Sequence, residues 1–114
     1  MAETTLYQKF HTCQQAALRL DYALTGFFCE DTAAAEKKAY GDYLRMRIRP
    51  AVQRLMDREE TEKLPVLETQ GWLQESVLDD CLGYAIRKKQ VQSFIWLLNC
   101  KARHFGFRDR DLSL

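Results

Sequence analysis

The sequence predicts an all-α protein in which a long antiparallel helical hairpin packs on three shorter helices. Two observations predict this class: apolar residues recur three and four positions apart over most of the chain, and no segment alternates apolar and polar residues between turn dipeptides. The 114 residues, 46% of them apolar and 29% charged, suit one globular domain. We therefore expect a single helical domain over residues 1–114, divided into a hairpin (1–58), shorter helices (59–106) and a tail (107–114).

The hairpin is predicted from two long periodic segments. In the first, about residues 5–28, the spacing suits a helix that pairs with another at a shallow angle. Asp31 or Thr32 is placed to cap the second helix, which continues to about residue 58. Pro50 should kink or break it near Arg49, because proline lacks a backbone donor. The apolar stripe of the first helix is Leu6, Phe10, Cys13, Ala17, Leu20, Leu24 and Phe27.

Three shorter helices are predicted in the rest of the chain. The first lies around residues 62–70 and ends at Gly71, and residues 76–79 have the form of a capping box that opens the next. After a short polar break, the last helix covers about residues 91–105 and ends at Gly106. The faces expected in the core are Leu78, Cys81, Leu82, Ala85 and Ile86 on the one helix, and Val91, Phe94, Ile95, Leu98 and Ala102 on the last. Trp96 and Leu97 lie elsewhere around the last helix, which should therefore be buried on more than one side.

Residues 85–98 read A-I-R-K-K-Q-V-Q-S-F-I-W-L-L. Their periodicity resembles the helix-turn-helix of ankyrin-type repeats, and residues 64–71 resemble the second helix of a preceding repeat. The resemblance covers residues 61–106 and none of residues 1–60. It implies solenoid-like helix pairs that bind a protein partner. An ordinary helical hairpin requires the same spacing, so both interpretations stay open.

Charge is nearly balanced overall, at +1, but it is unevenly distributed. Basic residues dominate positions 36–58 and 87–111, and acidic residues dominate positions 59–80. Such blocks either pair within a fold or form separate surface patches. If the basic helix faces form a patch, the function would be weak, sequence-tolerant nucleic-acid binding. The residues that would serve it are Arg45, Arg49, Lys101 and Arg103.

No catalytic, cofactor or metal motif stands out. Cys100 and His104 share a helix face, and with His11 and Cys13 they could in principle supply four zinc ligands, but no Cys-x-x-Cys pair supports such a site. Nucleophilic catalysis needs a Cys or Ser beside an oriented His, and no local motif marks one. We expect a protein that is not an enzyme and binds no cofactor or metal.

The sequence also predicts where the protein works. The four cysteines are far apart and lie among apolar neighbours, as reduced thiols do. The N-terminus has no basic leader, and the longest apolar run, residues 94–98, is far shorter than the roughly 20 residues of a membrane span. We therefore expect a cytoplasmic protein with no membrane partner.

The preferred function is a protein–protein interaction module that binds an unknown protein partner or itself. The module would bind through exposed side chains and neighbouring charges near the end of the fourth predicted helix. The residues expected at this contact are Tyr84, Arg87 and Lys88.

Overall fold

The computed structural model describes residues 5–106, and this part of the chain is all-α, which confirms the predicted class. It contains seven α-helices and no strand: α1 (Leu6–Thr12), α2 (Ala16–Phe28), α3 (Ala34–Met46), α4 (Ile48–Asp57), α5 (Leu64–Thr69), α6 (Glu75–Arg87) and α7 (Val91–Phe105), with a 3-10 turn at Thr61–Lys63. None of these helices combines the length and apolar character needed to cross a membrane. The predicted tail, residues 107–114, lies outside the described residues.

The chain divides into two compact units between Arg47 and Ile48. In the first unit α2 packs against both α1 and α3. The Tyr40 ring lies directly against Gly26, where a side-chain Cβ would overlap it, so the glycine allows the two helices to approach. The core of this unit consists of Phe10, Leu20, Ala23, Leu24, Phe27, Tyr40 and Leu44.

The predicted first long helix is wrong, because residues 13–15 separate α1 from α2. Thr5 and Gln8 form a capping box at the start of α1, and Cys13 has extended backbone angles. Beyond the break the apolar stripe changes direction, so that Ala17 is exposed whereas Leu20 is buried. Apolar spacing continues through residues 13–15 without a proline or glycine, so the pattern carries no signal of the break.

The predicted interruption at Pro50 is confirmed. Helix α3 ends before Arg47, whose angles (φ −121°, ψ 40°) are not helical, and α4 begins at Ile48. Pro50 then lies in the first turn of α4, where its missing N–H needs no helical acceptor. The ring would clash with the Met46 carbonyl, four residues earlier, in a continuous helix, which explains why the helix is interrupted directly after Met46, at Arg47.

Both predicted N-caps are wrong. Ala33 occupies the cap position of α3 without a side-chain hydrogen bond, and the Thr32 hydroxyl instead donates to the Gly26 carbonyl at 2.6 Å. Helix α6 begins at Glu75, one residue before Ser76. Residues 76–79 therefore form part of the helix, and their polar side chains are used in tertiary contacts.

In the second unit α6 packs against α4 and α7. The predicted helix ends at Gly71 and Gly106 are confirmed, with φ of +77° and +79°. The side chains that fill the core include Leu55, Met56, Leu64, Leu67, Leu78 and Leu97. This unit carries the residues predicted to bind a partner.

Candidate functional site

The three residues predicted to contact a partner lie at the end of α6. Arg87 and Lys88 are exposed, and the Lys88 ammonium lies 5.7 Å from the centre of the Tyr84 ring. Tyr84 is half-buried rather than exposed as predicted, because its hydroxyl donates a hydrogen bond to the Asp57 carboxylate at 2.7 Å. That hydrogen bond, together with burial, raises the pKa of Tyr84. Tyr84 therefore connects α6 to the end of α4, and Arg87 and Lys88 remain accessible to a partner.

Helix α7 carries an apolar stripe that faces solvent. Val91 is 66% exposed and Ile95 52% exposed, and Ile86 at the end of α6 is 51% exposed. Along α7 the spacing alternates between four and three residues, as on a helix that contacts another helix. The α7 stripe consists of Val91, Ile95, Leu98, Ala102 and Phe105, of which Leu98 and Ala102 are half-buried.

The prediction that Ile86, Val91 and Ile95 belong to the core is wrong, because all three are exposed. Phe94, Leu98 and Ala102, predicted on the same face of α7, are half-buried. Two polar contacts hold α7 in the orientation observed: the Lys101 ammonium lies 2.5 Å from an Asp79 oxygen, and the Cys100 sulfur lies 3.4 Å from a Glu68 oxygen. A buried ammonium is costly unless it is paired, so rotating the stripe inward would break its ion pair. The buried face of α7 consists of Ser93, Leu97, Cys100 and Lys101.

An apolar groove of about 310 Å³ adjoins the stripe at the α6–α7 turn. The turn is closed by hydrogen bonds from the Lys89 N–H to the Ile86 carbonyl and from the Gln90 N–H to the Ala85 carbonyl. Lys89 itself has φ +56°, the left-handed conformation that ends many helices. The groove walls are formed by Ala85, Ile86, Lys89, Gln90, Val91 and Phe94.

The surroundings of the groove are basic. Residues 81–106 include five Lys or Arg and no Asp or Glu. Lys101 and Arg103 pair with carboxylates from other helices, whereas Arg87, Lys88 and Lys89 have exposed side chains, and Lys89 lines the groove. The carboxylate of Asp57 lies beside the groove lining, where it accepts a hydrogen bond from Gln90 at 3.1 Å.

The residues proposed for nucleic-acid binding are mostly paired with carboxylates. Arg49 donates to Asp80 at 2.5 Å, and Arg103 lies 2.8 Å from Glu68. Lys101 is only 1% exposed, so its expected role on a surface is wrong. Arg45 is exposed at the end of α3, in the first unit. The acidic block of the sequence thus pairs with part of the basic blocks inside the second unit.

Glu68, Cys100 and His104 form a polar cluster between α5 and α7, with donor atoms that all lie within 4.8 Å of one another. His104 Nε2 lies 2.7 Å from Glu68 Oε2, and Arg103 reaches the same oxygen. Burial raises the pKa of Glu68, but hydrogen bonds from Arg103, His104 and Cys100 outweigh it and leave the pKa lowered. A metal ion would have to displace Arg103, so the cluster is better explained as a contact that holds α5 to α7.

The cluster also lacks the properties of a nucleophilic site. Burial, reinforced by the hydrogen bond to Glu68, raises the pKa of the Cys100 thiol to about 12, so the reactive thiolate is scarce at neutral pH. The His104 ring is held by Glu68, with Nε2 2.7 Å from the carboxylate oxygen. The structure therefore brings Cys100 and His104 together, as their spacing predicted, with Glu68 as a third member that the sequence did not reveal. His11 and Cys13 lie in the first unit.

Comparisons of the chain with protein-family models, with curated proteins and with solved structures find no match. The resemblance of residues 61–106 to ankyrin-type repeats gains no support from them and stays a prediction. Inference about function therefore depends on the surfaces and contacts described above.

Proposed function

We propose that this chain is a non-enzymatic protein-binding module, and that the α7 stripe and its adjoining groove bind an acidic amphipathic helix of a partner protein. The observation that carries the proposal is the exposure of Ile86, Val91 and Ile95. Burying a Val or Ile side chain completely contributes about 1.5–3 kcal/mol. At least half of each of these three side chains remains to be covered, so a helix laid along the stripe would gain several kcal/mol.

The charge of the surface indicates the chemistry of the partner. Lys89 lines the groove, Arg87 and Lys88 precede Lys89 in the chain with exposed side chains, and the segment from residue 81 to residue 106 contains no acid. Acidic residues beside the apolar stripe of a partner helix would complement these basic residues and accelerate association. A helix seated in an apolar groove is a common mode of protein recognition, with anchors three and four residues apart.

A second copy of this chain is a poorer occupant for the same reason. A symmetric pair would bring the same surface of two molecules together. The basic residues at one groove would then approach those at the other, and like charges disfavour such contacts. We also expect the module to act in the cytoplasm, where its four cysteines would stay as the free thiols observed.

The proposal can be tested by selection from a displayed library of helical peptides with a fixed apolar stripe and randomised flanking positions. We expect the selected peptides to carry Asp or Glu at the flanks and to bind at least about tenfold more weakly to Ile95→Glu, which places a carboxylate in the stripe. Met46→Glu is the matched control, because Met46 is an 83% exposed apolar residue of α3 outside the stripe.

Three outcomes would contradict the proposal. The first is a library that yields no binder, and the second is a set of binders whose flanks are not enriched in acids. The third is a dimer, detected by sedimentation velocity, that Ile95→Glu dissociates, since the occupant of the stripe would then be a second copy.

A further inference from the structure

A basic, aromatic pocket lies in the first unit, where α1 ends, α2 begins and α3 ends. It has a volume of about 670 Å³ and is lined by Arg19, Arg47, His11 and Tyr43, among others. The lining contains no Asp or Glu from the described part of the chain. The size is within the range of pockets that hold small-molecule ligands.

The two arginines are positioned by stacking on aromatic rings. The Arg19 guanidinium carbon lies 4.8 Å from the centre of the Tyr43 ring and 4.8 Å from that of Phe10, and the Arg47 guanidinium carbon lies 5.7 Å from Tyr43. Contacts with ring faces orient a guanidinium and leave its N–H donors, which lie in its own plane, directed at the edges. Both guanidinium groups thus contact the same Tyr43 ring.

Arg19 has one hydrogen-bond donor, its Nε, from which no residue of this unit accepts a hydrogen bond. Its Nε is buried, and no group among residues 5–106 accepts a hydrogen bond from it. Because this Nε has almost no accessible surface, a ligand in the pocket would contact the terminal nitrogens of Arg19 instead. No side chain caps the first turn of α2 beside the pocket, so the backbone N–H groups of that turn add to the positive potential.

We infer that this pocket binds the dianionic phosphate of a small phosphomonoester. Two guanidinium groups match the charge of a phosphate dianion, and the planar fork of each suits two of its oxygens. His11 lines the pocket and is exposed, so its ring can add a hydrogen bond to one of the same oxygens. The rest of the pocket volume and the Tyr43 ring would accommodate the organic group. This inference is independent of the proposed function, which concerns the second unit.

Isothermal titration calorimetry of the full chain with phenyl phosphate tests the inference, with potassium chloride at the same ionic strength as the salt control. We expect saturable binding of phenyl phosphate, tighter than that of inorganic phosphate. Arg47→Ala should weaken it at least about tenfold, since a hydrogen bond to a charged group is lost. Arg47 is exposed, so this variant should fold normally. The matched control is Arg45→Ala, which removes an exposed arginine of α3 that does not line the pocket.

Two further measurements test the pocket with a second variant and a second ligand. Arg19→Lys retains the positive charge without the fork, and should reduce affinity while leaving the far-ultraviolet circular dichroism spectrum unchanged. A short single-stranded oligonucleotide supplies phosphodiesters in place of a phosphomonoester. Equal effects of Arg45→Ala and Arg47→Ala would overturn the inference, as would binding of the oligonucleotide without binding of phenyl phosphate, or no saturable binding of either phosphate.

Discussion

On α7, the buried face includes polar residues, whereas the solvent-exposed face carries large apolar ones. The inward face buries a lysine and a serine, Lys101 and Ser93, whereas the outward face leaves Val91 and Ile95 more than half exposed. Amphipathic helices of globular domains usually bury the apolar face and expose the polar one. The inward face also buries Leu97 and Cys100, and the ion pair with Asp79 compensates the burial of the Lys101 ammonium. This orientation of α7 leaves an apolar surface available for a partner.

The largest effect on stability is expected from a substitution at Asp79, whose carboxylate pairs with the buried Lys101. Asp79→Ala should lower the free energy of unfolding by about 3 kcal/mol, because it removes the carboxylate from a buried ammonium. The neighbouring Asp80→Ala should cost less than about 1 kcal/mol, since both side chains of the Arg49–Asp80 pair are about half exposed. Urea unfolding followed by circular dichroism measures both. Similar losses would mean that the buried face does not depend on its ion pair.

The second-largest effect on stability is expected at Glu68, and it should depend on pH. We expect Glu68→Gln to cost about 1–2 kcal/mol above pH 5, because the carboxylate accepts hydrogen bonds from α7. The folded pKa of Glu68 is lowered from 4.5. The contribution of the Glu68 carboxylate to the free energy of unfolding should thus be complete above pH 4.5. It should disappear as the pH falls through the lowered pKa of the folded state. Unfolding of both proteins between pH 3 and pH 7 tests this, and a constant difference would contradict it.

A smaller loss of stability is expected when the Lys101 ammonium is removed and the Asp79 carboxylate is retained. Lys101→Met should change the free energy of unfolding by less than about 1 kcal/mol, because methionine fills similar space and the Asp79 side chain, 35% exposed, can be hydrated. Comparison with Asp79→Ala in the same urea series then separates the cost of a buried charge from that of lost packing. A loss as large as that of Asp79→Ala would show that packing by the lysine stem dominates.

The smallest effect on stability is expected on the outward face. Ile95→Glu should alter the free energy of unfolding by no more than about 0.5 kcal/mol, as is usual for exposed positions away from special contacts. Thermal unfolding at matched concentrations measures this. A loss above 2 kcal/mol would show that the stripe belongs to the fold, and would remove the reason for assigning it to a partner.

The parts of the fold that were predicted correctly depend on local backbone chemistry. Pro50 interrupts the helical pattern because of its own ring, and Gly71 and Gly106 end helices because glycine adopts positive φ readily. Apolar periodicity predicted the all-α class for the same reason: helical spacing is a property of neighbouring residues. In the candidate site, the accessible Arg87 and Lys88 followed from their place next to a polar break.

The predicted helix caps were wrong at residues whose polar side chains can either cap a helix or contact a distant residue. Ser76 and Asp79 have the spacing of a capping box, but the Ser76 hydroxyl lies 3.2 Å from Arg49 and Asp79 pairs with Lys101. Thr32 likewise bonds to the end of the preceding helix. A short polar side chain can serve a cap or a distant partner, and sequence spacing gives no information about the distant one.

The sequence by itself determined that the chain is helical, where proline and glycine interrupt it, and which residues of α7 are apolar. Only the tertiary structure decided which side of α7 is buried. The physical reason is that burial of the apolar stripe competes with pairing of Lys101 and Cys100 with Asp79 and Glu68, which lie 22 and 32 residues earlier in the chain. That competition is settled by contacts between helices, and it leaves the stripe on the surface.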